Sequence, residues 1–307
     1  MSSEESRDPL YYTSLLKLSA EDLSTRLSAG PDQAARIAYA AAVGGSRAAQ
    51  VSYGQMLLDG HGVEQDPHAA LRWFAIAAAA NDADAINMLG RCHELGWGTT
   101  VDPAQALACY TRAASKGHHW AQFNLATLVL RDDPSPGEIK TALTLLVRSA
   151  RQGNAKAMNM IGRYREFGWA GSANISSAIR WYRRAAIRGC FRGAAHLARF
   201  LCEQGRVDEA VDWYRRSVAI APADFCRDLA AHLFTQNPTI LHDVARAALK
   251  RAAELGDAYD RLAYGSALAQ GRGGPADRIE AGVWLHRAES EGIPGALAIL
   301  DGPQASP

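Results

Sequence analysis

The chain has 307 residues, of which 48% are hydrophobic and 21% charged, with a formal net charge of +1. This near-neutral balance removes a global pull toward nucleic acid or anionic lipid, and the longest apolar run, Trp73 to Ala80, is far too short to cross a bilayer, so no membrane insertion is expected. The length accommodates a sizeable core or an array of seven or eight repeated units.

Residues 1–30 read as a disordered N-terminus followed by a capping helix. The opening MSSEESRDPL is polar and acidic where a secretory signal needs a basic start and an apolar run, so a cytoplasmic location is expected. Ser19 followed by Glu21 and Asp22 has the signature of a helix start. Leu15, Leu16, Leu18, Leu23 and Leu27 offer an apolar face to cover the first hairpin, as stacked arrays require. Pro31 opens the next helix, where a missing N–H costs little, and Gly44 and Gly45 end it.

From there the chain repeats itself. Complete units are expected at about 46–81, 82–117, 118–153 and 154–189, the third with Asp133, Pro134, Ser135, Pro136 and Gly137 in place of a glycine-rich turn. The unit at 190–221 is shorter, with a tight Gln204, Gly205, Arg206 turn. The unit at 222–256 is degenerate, with Pro238 in its turn. The last, 257–292, recovers the pattern through Leu262, Ala263, Gly271, Gly273, Trp284 and Ala288, and 301–307 reads as a flexible tail. The uninterrupted period over 31–300 argues for one elongated body.

Each column of the repeat has a physical reason. Trp73, Cys109, Leu145 and Trp181 stand 36 residues apart, as do Gly54, Gly90, Ala126, Gly162 and Ala198. Two apolar-periodic segments of about a dozen residues per unit suit a helical hairpin. Gly and Ala recur where its two helices must touch. Gly45, Gly117, Gly153, Gly189, Gly256 and Gly292 are expected to end second helices in the left-handed conformation, and Asp82, Asn154 and Asp257 to cap the helices that follow.

The pattern A-x-x-x-L-G, then G-x-G-V with D-P, then A-x-x-W-[FY]-x-x-A-A resembles the Sel-1-like repeat, a relative of the tetratricopeptide repeat. Its fullest copy here is Gly54, Gly60, Gly62, Val63, Asp66, Pro67, Ala70, Trp73, Phe74, Ala77 and Ala78. The 190–221 unit is closer to a tetratricopeptide repeat. The resemblance implies an all-α fold, a right-handed superhelical solenoid of antiparallel helix pairs, serving as a scaffold or adaptor. It also implies that the first helix of each pair lines a concave groove.

On that relation the residue after each Gly or Ala column faces the groove: Gln55, Arg91, Thr127, Arg163 and Arg199, with Tyr264 in the last unit. One turn on stand Leu58, Glu94, Leu130, Glu166 and Cys202. The result is a ladder of Arg beside Glu, suited to a protein or peptide ligand, although Arg91 with Glu94 and Arg163 with Glu166 could equally pair at i,i+3 on a solvated face. Trp97 and Trp169 occupy equivalent turns and are either partner anchors or packing between turns. Trp120 and Phe123 could line the groove, with core packing the alternative for Phe123.

Arg outnumbers Lys 28 to 5, which favours planar contacts to carboxylates. The segment 140–216 carries fifteen Lys and Arg against five Asp and Glu; it could attract an acidic partner, and a nucleic-acid-associated adaptor is an alternative reading, although nucleic acid is not the expected partner. His93, His118 and His119 lie near Cys92 and Cys109 in repeat space without metal-ligand spacing, so no metal is expected. Five Cys without C-x-x-C read as reduced thiols. Gly271, Gly273 and Gly274 belong to a repeat turn, no nucleophile-and-base pair is apparent, and no catalytic residue or cofactor is assigned. A hydrolase built on the repeat is the remaining enzymatic alternative.

Overall fold

The computed structural model describes residues 19–235 and 239–301, and every long regular element among them is an α-helix. Leu15, Leu16 and Leu18 of the expected cap, Pro238, residues 1–9 and residues 302–307 lie outside the described residues. The chain falls into two compact units that divide between Gln152 and Gly153.

The first unit holds α1 (Ala20–Ser28), α2 (Pro31–Val43), α3 (Arg47–Asp59), α4 (Pro67–Ala79), α5 (Ala83–Leu95), α6 (Pro103–Ser115), α7 (His119–Val129) and α8 (Pro136–Arg151). The helices pair as α3 with α4, α5 with α6 and α7 with α8, and each pair packs on the next. Starts are set by side chains: Ser19, Ser46, Asp66, Asp82 and Asp102 each accept a backbone N–H of the first turn. Pro67 and Pro103 take the position where no N–H is needed. Ser135 and Glu138 close a reciprocal capping box at the proline-bearing turn before α8.

The second unit holds α9 (Ala155–Phe167), α10 (Ile175–Ile187), α11 (Phe191–Glu203), α12 (Val207–Ile220), α13 (Ala223–Leu233), α14 (Ile240–Leu255), α15 (Ala258–Ala269) and α16 (Arg278–Ser290), with a 3-10 turn at Ala296–Asp301. Pairs form as α9 with α10, α11 with α12, α13 with α14 and α15 with α16. The degenerate 222–256 segment therefore still makes a helix pair. Within each unit the architecture is a stacked, all-α solenoid of helix pairs.

What holds a pair together is the Gly or Ala column. A Cβ on Gly54 would lie 2.6 Å from Phe74, on Gly90 2.7 Å from Tyr110, on Gly162 2.5 Å from Tyr182, and on Gly265 2.8 Å from Leu285. The bare backbone lets each large side chain bury fully, worth roughly 1.5–3 kcal/mol per large apolar residue. One closing glycine departs from expectation. Gly256 has φ −99°, so it is not left-handed. Its role is space: a Cβ there would meet an Asp260 carboxylate oxygen at 1.9 Å.

Candidate functional site

On α5 the residues Asn87, Arg91 and Glu94 fall on one face, at helical spacing. Glu94 accepts a hydrogen bond from the Tyr110 hydroxyl of α6 at 2.7 Å and pairs with Arg131, just beyond α7. Its side chain is only 16% exposed, so its charge is satisfied inside the protein. Burial drives the Tyr110 phenol well above its ordinary pKa, and the hydrogen bond and charge of Glu94 add to this. Arg91 does not pair with Glu94. Its guanidinium lies 4.6 Å from the centroid of the Trp97 ring, and it meets no carboxylate among the described residues. Trp97 in turn packs against the cluster of Leu57, Leu58, Ala70, Phe74, Met88 and Cys92.

The remaining first-unit positions of the ladder face their own helices. Gln55 donates to Asp59 at 2.8 Å, and Thr127 donates to the Asn124 carbonyl at 2.9 Å. Asn124 also donates its amide to Asn87 at 2.9 Å. Trp120 is 39% exposed and meets Phe123 edge-on at 6.2 Å.

The second unit repeats the arrangement on α9. Glu166 accepts from the Tyr182 hydroxyl at 2.6 Å and pairs with Arg199 of α11, which also reaches Glu203 at 2.7 Å and stacks on Phe200. Arg163 lies 5.2 Å over Trp169 and, like Arg91, meets no carboxylate among the described residues. Trp169 differs from Trp97. It is 45% exposed, lies 4.9 Å from Phe167 at 22° between ring planes, and meets Tyr164 edge-on. Phe167 is 53% exposed.

Behind this face sits His196, stacked on Tyr182 at 4.7 Å. Burial pushes its pKa down to about 4; Glu166 opposes the shift, while Arg199, Arg163 and Arg192 reinforce it. His196 stands in the register of Asn124. Asn159, the counterpart of Asn87, therefore lacks its amide partner, and its buried Oδ1 accepts no hydrogen bond.

Tyr264 requires a correction. It is 4% exposed, and its hydroxyl donates to Glu280 of α16 at 3.1 Å. The tight-packing column in this repeat is Gly265, against Leu285, so the residue that follows the column is Ser266, which donates to the Leu262 carbonyl. The Leu262–Ala263 pair imitates the end of A-x-x-x-L-G two residues early.

Sequence reasoning missed Tyr110, Tyr182 and Arg131 as partners of the two glutamates. A signal was present: tyrosine follows glutamate by 16 residues in both units, whereas Leu58 is followed at that distance by Phe74 and Leu130 by Leu146. Elsewhere, Arg184 stacks over Trp181 and Arg216 over Trp213 on second helices, at 4.9 and 4.8 Å. The five cysteines are free, and burial pushes the Cys92 thiol up to about 11. Among the described residues no group of three or more His, Cys, Asp and Glu could hold a metal ion, and no helix is long and apolar enough to cross a membrane.

Comparison with known proteins bears on the repeat. The profile of the Sel1 repeat matches residues 47–82, 83–118, 121–154, 155–190 and 257–293. The chain belongs to the Sel1 repeat family. Sel1 repeats generally mediate protein–protein interaction. The shorter and degenerate units fall in the stretch between the fourth and fifth matches.

Among solved structures, c5321, a protective antigen of uropathogenic Escherichia coli with an SLR fold, is similar over 94% of this chain and 65% of its own, with a TM-score of 0.55 and 25% identity. A Sel1 repeat protein from Oxalobacter formigenes is similar over 80% of this chain and 88% of its own, with a TM-score of 0.52 and 23% identity; that likeness concerns the fold. Chitin synthase regulatory factor 3 of Schizosaccharomyces pombe is 33% identical over 136 residues, 43% of this chain. The aligned stretch spans 14% of that relative's length.

Proposed function

We propose that this Sel1 repeat protein is a non-enzymatic interaction scaffold that holds a protein or peptide segment along the face carried by its first helices. One observation supports the reading above others. In both units the glutamate of that face is consumed by a tyrosine and an arginine, while Arg91 and Arg163 are left as guanidiniums fixed over tryptophan with no carboxylate of their own. A planar donor already held in place loses little side-chain freedom on meeting a carboxylate.

The experiment is a capture with the untagged chain from its own cells, followed by rebinding of each captured protein in purified form by calorimetry. Arg91→Glu with Arg163→Glu should weaken rebinding at least tenfold while helical circular dichroism and Tm are retained. Equal rebinding would remove the first-helix face as the site. Arg199 is kept out of this variant because Glu166 and Glu203 hold it structurally. A dependence on salt as steep as several released counterions per complex, with nucleic acid in the captured fraction, would instead assign the basic residues to a nucleic-acid partner.

A further inference from the structure

The second unit presents one surface that its own fold leaves unused. Phe167 and Trp169 are stacked on each other and both about half exposed, beside the turn that follows α9, and the Arg163 guanidinium closes one side of the Trp169 ring. Isolated exposed apolar residues need no explanation, but two stacked aromatic rings beside an unneutralised arginine form a composite patch.

The turn that carries Trp169 departs from its counterparts in sequence. Gly62, Gly98 and Gly273 share a column with positive φ, and a Cβ on any of them would lie within 2.1–2.2 Å of a carbonyl oxygen at the start of an earlier second helix, that of Pro31, Pro67 and His242 respectively. The fourth repeat has Ala170 in this column. That turn keeps the positive φ of Gly168, shared with Gly60, Gly96 and Gly271, and takes its second positive φ at Gly171, one residue after the Ala170 column. Trp169 stacks on Phe167 and Tyr164 of its own repeat, with nearly half of its surface in solvent.

Resting on the scaffold reading above, we infer that the Phe167–Trp169–Arg163 platform is the principal anchor of the second unit, and that its occupant is an acidic peptide segment carrying an aromatic side chain. The aromatic side chain stacks on the exposed rings, and a neighbouring carboxylate takes the free Arg163 N–H donors. Charge supports the acidic choice. Between residues 153 and 216 there are twelve Lys and Arg against five Asp and Glu, and of those five Glu166, Glu203 and Glu209 already hold arginines of the chain. A basic segment would be repelled from this surface, and a purely apolar one would leave Arg163 desolvated and unpaired.

The test uses the full chain and a displayed library of random dodecapeptides, with selected sequences resynthesised and their Kd measured. Selected peptides should pair an aromatic residue with Asp or Glu. Trp169→Ala and Phe167→Ala should each weaken them at least about tenfold, as for buried aromatic anchors, with Trp169→Phe retaining most of the affinity. Arg163→Gln should erase the preference for Asp over Asn at the flanking position. Selection of basic or non-aromatic sequences overturns the inference. Binders indifferent to Trp169→Ala but lost on Arg91→Glu would overturn the platform while leaving the first-helix scaffold standing. Binders indifferent to every one of these variants, including Arg91→Glu and Arg163→Glu, would overturn both.

Discussion

The turns after α5 and α9 follow the same glutamate–tyrosine–arginine arrangement and stack the same arginine on the same tryptophan, yet Trp97 joins a hydrophobic cluster and Trp169 stands half in solvent. The helix pairs beneath them are alike in the residues that matter: Gly90 against Tyr110, Gly162 against Tyr182. The two turns differ at several positions: Leu95, Gly98, Thr99 and Val101 stand where the later turn has Phe167, Ala170, Gly171 and Ala173. The helix-pair contact is thus kept between the two regions while the turn, and with it the packing of the tryptophan, changes.

If the two regions differ only at their turns, their helix pairs must respond equally to crowding. Gly90→Ala and Gly162→Ala should each destabilise by about 3 kcal/mol, because the new methyl must displace a fully buried tyrosine ring, and this outweighs the gain in helix propensity. Gly282→Ala on α16, where a Cβ meets nothing nearer than Leu300 at 3.6 Å, is the control and should stabilise by about 0.5–1 kcal/mol. Denaturant melts of the three variants check this, and clearly unequal costs for Gly90 and Gly162 would break the comparison.

Acid should sharpen it. His196 is held neutral by burial with a folded pKa near 4, below its unfolded value, so the unfolded chain binds a proton first as pH falls. Its stabilising contribution is complete above the unfolded pKa and is lost as pH falls toward 4, the loss reaching about 2 kcal/mol by pH 4.5. Asn124, its counterpart in the first unit, does not titrate. His196→Phe keeps a ring against Tyr182 and removes the proton site, so the difference in stability between variant and parent should shift in the variant's favour between pH 7 and 4.5. A constant difference across that range would show that the imidazole is not the sensor.

The smallest effect concerns the amide pair. Asn87→Leu removes the acceptor for the Asn124 amide and should cost about 1–2 kcal/mol. Asn159→Leu removes an acceptor that has no donor, and should be neutral or slightly stabilising. Equal losses in the two variants would mean that Asn159 has a partner in solution.

Much of this was legible from residue spacing. The helix pairs, the capping Asp82, Asn154 and Asp257, and the Gly or Ala contact column all follow from a 36-residue period, because identical steric demands recur at identical intervals. The register was lost in the last repeat, where Leu262–Ala263 copies the motif and only packing on Leu285 shows that Gly265 is the contact. Tyr264 was misplaced for that reason. Gly256 was assigned to a left-handed cap when it clears space for the Asp260 carboxylate, which is buried and held by Arg227 in two hydrogen bonds of 2.7 Å.

By itself the sequence determined which segments are helices, where they start and where two of them must touch, since these depend on local spacing, caps and the absence of a Cβ. Only the tertiary structure decided which charges are already spent. Arg91 and Glu94 are three residues apart, yet the carboxylate turns to Tyr110 and Arg131 and the guanidinium to Trp97. The strength of a charge–charge or charge–ring contact depends on distance and burial across helices, and neither quantity is encoded in separation along the chain.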